Sequence, residues 1–337
     1  MKKILIIVLA LFTVLLSSCE KNKINYSPPI TEDNLDNITN NENNNLKDEE
    51  TNIIKDEKII LIEEFLDKIY QEQVKQIHFN TFSNINKSYS LLYFIDVEEL
   101  NIDSKLVDAK YKDTRPGITR DKIEWIVIHD TGNNKVGATG LNHSNYIQNS
   151  NPGVSWHYTV DEEYIYQHIP DNEVAYHAGD GLRPTGTKWY SSKYNKTNYG
   201  GGNLNGIGIE TCVYNGIDYL ETIVTTAKLA AKLLYQYNLP IESLKKHYDF
   251  SGKNCPQVLI NSYYFQEFRN LTSYYLEAYK LFKDVDVEYI CDENIKQYIT
   301  EDGIIKSNLL KSNIIEYKIR ITYKDVEYIY EYQTRIN

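Results

Sequence analysis

Trp125-Ile126-Val127-Ile128-His129 is a nearly continuous apolar run that stops at the turn-forming residues Asp130-Thr131-Gly132. It is short and bounded by a turn signal, as expected of a strand covered on both faces. The rest of the chain must then supply layers above and below this strand. His129 would stand at the strand's end.

Further elements fit around it. Ser155 to Val160 and Tyr164 to Ile169 flank Asp161-Glu162-Glu163 as a hairpin. Gly206 to Tyr214 predicts another strand, with Gly208, Glu210 and Cys212 on one face and Ile207, Ile209 and Thr211 on the other. Asp218 and Glu221 have capping-box spacing, and Ile223, Ala227, Ala230, Leu234 and Tyr237 make a helical stripe that ends before Pro240. A second helix is expected from about Ser262 to Phe282, after a polar loop from Lys246 to Pro256. Residues 179 to 205, with Gly200-Gly201-Gly202, read as a long surface loop bordering a site.

At 337 residues the chain can hold one sizeable domain plus attachments. Residues 19–57 are rich in Asn, Asp, Glu and Lys, with too little apolar surface to offset the entropy of ordering, and read as a flexible tether. Ile59, Ile62, Phe65, Leu66, Ile69 and Tyr70 recur at helical spacing, so 58–106 reads as an N-terminal helical attachment. The main domain is expected over 107–282. In 283–337, Ile315, Tyr317, Ile319, Ile321 and Tyr323 alternate with polar residues, Val326 to Tyr332 alternates again after Lys324-Asp325, and Val285 to Cys291 adds a strand. That region is either a small β-rich appendage or extra strands packed on the main domain.

Residues 1–18 have the form of an export signal. Lys2 and Lys3 precede the apolar stretch Ile4 to Leu16, too short to span a bilayer comfortably, and Leu16-Ser17-Ser18-Cys19 resembles a bacterial lipobox. That resemblance implies lipidation at Cys19 and anchoring to the cell membrane, facing the extracellular side or periplasm. An ordinary secretory signal and an uncleaved anchor are the alternatives. The net charge of −11 leaves no basic excess for phosphate neutralisation, so no nucleic-acid partner is expected. Cys212, Cys255 and Cys291 would remain after processing. Three cysteines cannot pair fully, so at least one is free or metal-bound, although a Cys212–Cys255 bridge is permitted.

His129, His247 and Cys255 are of the types that bind zinc, and three protein ligands leave a position for water. By spacing alone, the ordinary reading of each histidine as a satisfied core or loop residue stands beside the metal one. Five segments taken in order say more: Ile126 to Gly132, Ser155 to Asp161, Ala175 to Gly179, Gly206 to Glu210, and His247 through Cys255-Pro256. Together, over roughly residues 108 to 270, they resemble the type 2 N-acetylmuramoyl-L-alanine amidases, the superfamily that includes phage amidases and animal peptidoglycan recognition proteins.

The resemblance implies an α/β fold with a central mixed β-sheet flanked by helices, one Zn2+ per chain, and peptidoglycan as substrate. It implies His129, His247 and Cys255 as metal ligands, Glu210 as the catalytic carboxylate, and Lys253 as the charge that steadies a developing oxyanion. One thiolate and two neutral imidazoles would leave the zinc site at a formal charge of +1. His157, His177 and Trp156 fall where the family lines its substrate cleft. Trp156 stands where some relatives use a catalytic tyrosine, so a tyrosine-dependent mechanism is not expected. A peptidoglycan receptor without catalysis and a zinc peptidase acting within the stem peptide are the competing functions.

Overall fold

The strands expected from Trp125 and from Gly206 lie side by side at the heart of a six-stranded sheet. The computed structural model describes residues 55–72, 88–89, 92–95, 97, 100–150, 152–179, 201–300, 303–305 and 314–335. Cys19 and its lipobox, nearly all of the tether, and residues 180–200 of the expected surface loop lie outside the described residues.

In chain order the N-terminal part holds α1 (Glu57–Glu72), β1 (Ser88–Tyr89), α2 (Leu92–Ile95), β2 (Ile102–Ser104) and β3 (Trp125–Asp130). The middle holds α3 (Gly140–Ser150), β4 (Tyr158–Val160), β5 (Ile165–Gln167), α4 (Gly202–Asn205), β6 (Gly206–Thr211) and α5 (Tyr219–Gln236). Then come β7 (Leu244–Lys246), α6 (His247–Ser251), α7 (Gln257–Asn261) and α8 (Phe265–Phe282). The C-terminal part holds β8 (Asp286–Ile290), α9 (Glu293–Lys296), β9 (Ile304–Ile305), β10 (Ile314–Tyr323) and β11 (Val326–Arg335).

The sheet runs β2-β5-β4-β6-β3-β7. It is mixed, because β4 and β5 pair antiparallel as the expected hairpin while β4, β6, β3 and β7 pair parallel. Burial on both faces of β3 follows the composition: Ile126, Val127 and Ile128 are all wholly buried. Ile126 and Ile128 pack in one core with Ile207, Ile209 and the inner stripes of α5 and α8. Val127 packs in a smaller cluster with Ala178 and Phe250. Each fully buried aliphatic side chain contributes about 1.5–3 kcal/mol, so this layering is the main source of the sheet's stability. Asp218 caps α5 by accepting the Glu221 N–H at 3.2 Å, as its spacing predicts.

Two departures from the sequence reading have local causes. β6 ends at Thr211, so the expected alternation does not continue, and Cys212 joins the main apolar core. The stretch from Lys246 is not wholly loop: it closes β7 and turns directly into α6, which ends at Gly252 with φ +76°, a left-handed cap that glycine adopts without strain.

The C-terminal strands form their own three-stranded antiparallel sheet, β11-β10-β8, with the hairpin turning at Lys324-Asp325. Its inner residues Ile315, Tyr317, Ile319 and Ile321 share a second core with Ile59, Ile62, Phe65, Leu66 and Ile69 of α1 and with Phe282 at the end of α8. Phe65 and Phe282 have ring centroids 6.1 Å apart, and the Tyr330 hydroxyl donates to Glu63 at 2.9 Å.

Candidate metal centre and adjoining cleft

Three neighbouring parallel strands, β6, β3 and β7, bring their carboxyl ends together, which is where open α/β sheets collect ligand-binding groups. β3 ends in His129 and Asp130, β6 pairs Glu210 with His129 in register, and His247 follows β7 at once. Side-chain alternation puts Val127 and His129 on the face opposite Ile126 and Ile128, with Gly208 and Glu210 beside them.

Cys255 arrives by another route. The Asp130 carboxylate accepts the Val258 N–H at 2.9 Å and so pins the start of α7. The Cys255 carbonyl accepts the Tyr248 N–H at 2.9 Å, tying it to α6. Cys255 Sγ lies 3.7 Å from His129 Nδ1, and Glu210 Oε1 lies 3.9 Å from the same nitrogen. One ligand atom each from His129, His247 and Cys255 lie within 4.8 Å of one another, all three residues buried.

The electrostatics of this cluster are set first by burial. Burial, together with the neighbouring His177 and His247 and with Lys253, holds His129 well below the usual imidazole range. Burial and Lys253 bring His247 to about 4, so both rings are neutral near pH 7. Burial, with Asp130 adding to it and Lys253 opposing, pushes the Glu210 carboxyl up to about 8. Burial first, then Glu210 and Asp130, push the Cys255 thiol up as well. Glu210 Oε2 and His247 Nδ1 are buried polar atoms without a hydrogen-bond partner. A divalent ion would satisfy these groups: two neutral imidazoles and a thiol that becomes thiolate on binding make a donor set suited to zinc.

Lys253 is exposed beside the cluster, and its charge is felt by His129, His247, Glu210 and Cys255. A cleft of about 370 Å³ opens next to Glu210 and is lined by Trp156, Thr131, Asn133, and by Asn142, His143 and Tyr146 of α3. Trp156 lines this cleft, its indole N–H turned inward to Thr159 at 2.7 Å. The two histidines expected beside it are placed elsewhere. His157 is wholly buried, with Nδ1 accepting the Gly208 N–H at 3.0 Å and the Arg120 guanidinium against its other nitrogen. His177 is buried behind His129, its Nδ1 2.9 Å from His129 Nε2. Neither lines the cleft, because each ring is drawn inward by backbone groups of β6 and its approach.

The α3 residues of the cleft and the pinning role of Asp130 were not anticipated. Asp130 stood in the sequence as a turn residue, and its position beside His129 at a buried strand end was the available signal.

The cluster lies within a stretch that resembles known proteins. Residues 119–258 match the family model described as N-acetylmuramoyl-L-alanine amidase. Over 149 residues the chain is 35% identical to N-acetylmuramoyl-L-alanine amidase CwlH of Bacillus subtilis (strain 168), covering 44% of this chain and 53% of that protein. It is 34% identical over 149 residues to N-acetylmuramoyl-L-alanine amidase XlyA of the same organism, covering 44% of each. The chain thus spans about half the length of the curated relatives it matches. Among solved structures, the catalytic domain of XlyA matches with 30% identity and a TM-score of 0.44, over 51% of this chain and 99% of that one. Over residues 119–258, then, the chain matches the family model described as N-acetylmuramoyl-L-alanine amidase and resembles the curated amidases over the same stretch.

Proposed function

We propose that the protein is a zinc-dependent N-acetylmuramoyl-L-alanine amidase. It would hydrolyse the amide between the lactyl group of N-acetylmuramic acid and L-alanine of the stem peptide in peptidoglycan. The observation that carries this reading is the convergence of His129, His247 and Cys255 with Glu210 3.9 Å from His129, inside the segment that matches the amidase family.

His129, His247 and Cys255 would hold the ion, which when bound supplies Lewis acidity to a carbonyl and to water. Glu210, held at the mouth of the cleft with an unpartnered oxygen, would take the proton from the attacking water as its oxygen bonds to the carbonyl carbon. The same proton would pass to the nitrogen as the C–N bond breaks, and the second proton of the water would then pass from the new lactyl carboxyl group to the released L-alanine amine, leaving lactyl carboxylate and ammonium. Lys253 would offset the negative charge that grows on the carbonyl oxygen. Trp156 and Tyr146 would give the cleft an apolar wall for the substrate.

The test is digestion of purified sacculi with the zinc-loaded protein, read by mass spectrometry. New N-terminal L-alanine is expected. Cleavage further along the stem would make it a peptidase, and sedimentation with sacculi without any release would make it a receptor.

The membrane anchor belongs to the same proposal. Its support is the sequence alone, Lys2 and Lys3, the apolar stretch and Leu16-Ser17-Ser18-Cys19. Cys19→Ala is expected to move the protein from the membrane fraction to the soluble one; unchanged fractionation with no incorporated lipid label would refute it.

A further inference from the structure

We infer that His177 is a positioning residue for the metal centre: it fixes the tautomer of His129 that leaves Nδ1 of His129 free to bind the ion. The inference rests on the metal reading of His129, His247 and Cys255.

The direction of the hydrogen bonds follows from one fixed end. His177 Nε2 lies 3.2 Å from the Gly206 carbonyl oxygen, which can only accept, so the ring proton of His177 sits on Nε2. A neutral imidazole then has its lone pair on Nδ1. That Nδ1 lies 2.9 Å from His129 Nε2, so His129 must donate, carrying its own proton on Nε2. The lone pair of His129 is thereby assigned to Nδ1, the atom 3.7 Å from Cys255 Sγ and 3.9 Å from Glu210 Oε1. Metal-binding histidines commonly need such a partner on the second nitrogen to hold ring orientation. Without it, His129 could place its proton on Nδ1, and that form cannot ligate there.

The surroundings are shaped for this ring. A Cβ on residue 208 would lie 2.7 Å from His177 Cγ and 2.8 Å from its Nδ1, so β6 has glycine where the ring crosses it. The Asn203 side-chain oxygen accepts the backbone N–H of both His177 and Ala178, at 2.8 and 2.7 Å, and clamps the loop. His177 and His129 meet edge to face, with ring centroids 5.0 Å apart. His177 does not line the cleft, so it acts through His129 and not on substrate.

The experiment compares zinc affinity of the full chain and three variants, measured by competition with a chromophoric chelator. The visible spectrum of the Co2+-loaded forms gives a readout independent of turnover. His177→Asn keeps an acceptor near the place of Nδ1, His177→Gln moves it towards the place of Nε2, and His177→Leu fills the space without one. Loss of an outer partner typically weakens metal binding by about 10–100-fold, the effect expected for His177→Leu. His177→Asn should stay close to the parent in affinity and Co2+ spectrum, and His177→Gln should fall between. If the leucine variant does not fold, the asparagine and glutamine variants carry the comparison. Gly208→Ala should also weaken zinc by displacing the ring. Equal affinity in the parent and His177→Leu, or equal loss in the asparagine and glutamine variants, overturns the inference while leaving the metal reading intact. A parent protein that retains no zinc overturns the metal reading, and this inference with it.

Discussion

Nδ1 of His129 and Sγ of Cys255 lie 3.7 Å apart, although 126 positions separate them in sequence. Cys212 is equally buried but packs in the apolar core, 4.0 Å from His143. Cys255→Ser should therefore lose most of the zinc of the purified protein, while Cys212→Ser should keep it and lose only stability. Metal analysis of the two variants decides; equal zinc in both would remove Cys255 from the ligand set.

Glu210→Gln keeps the shape of the carboxylate and removes its ability to take a proton. Retained zinc with turnover lower by about 100- to 10,000-fold is expected, the usual contribution of a positioned general base. The readout is sacculus hydrolysis alongside metal content. Near-normal turnover would take Glu210 out of the reaction.

His168 is wholly buried away from the metal cluster, its Nε2 2.9 Å from the Thr159 hydroxyl, and burial lowers it to about 4. The unfolded chain, with an ordinary value near 6.5, binds that proton more readily than the folded one. Its contribution to stability is thus complete above about pH 6.5 and is lost as pH falls towards 4. Each such proton is worth about 1.4 kcal/mol per pH unit across that window. Denaturant melts from pH 7 to 4.5 should show a shallower acid loss for His168→Gln than for the parent; identical slopes would refute the assignment.

Phe65 on α1 is 2 % exposed and packs on Phe282 within the core shared with the C-terminal sheet. Phe65→Ala should cost about 3–5 kcal/mol in that core. Amide exchange should rise in β10 and β11 as well as in α1. Faster exchange confined to α1 would show that the two segments do not depend on each other.

Much of the fold was legible where periodicity was strong. The apolar run at Trp125, the alternation of Ile315 to Tyr323 and the stripe of α5 each report a buried face directly, and all three form the expected elements. α3 was not legible, because Leu141 and Tyr146 are exposed and Ile147 is the one wholly buried apolar residue in a helix otherwise rich in Asn, Ser and Gln. With it went the cleft residues it carries. β7 is three residues long with only Leu244 buried, too short to show a period. The meeting of His129, His247 and Cys255 was legible only through ordered motifs, since strand pairing, not chain spacing, brings His247 beside His129. The place of His177 depends on a ring from a loop crossing a glycine of β6; Gly208 on the face of Glu210 was the one hint of close approach.

The core shared by α1 and the C-terminal hairpin has a consequence for how the molecule is made. Tyr330 reaches Glu63 across 267 positions, so the first of these segments to leave the ribosome must wait for the last. The sheet around β3 can close once α8 has emerged, whereas the apolar face of α1 stays without its partner strands until β10 and β11 have been made. A chain cut short before β10 would release that face bare, and quality-control proteases would meet a closed central sheet carrying an unfinished end.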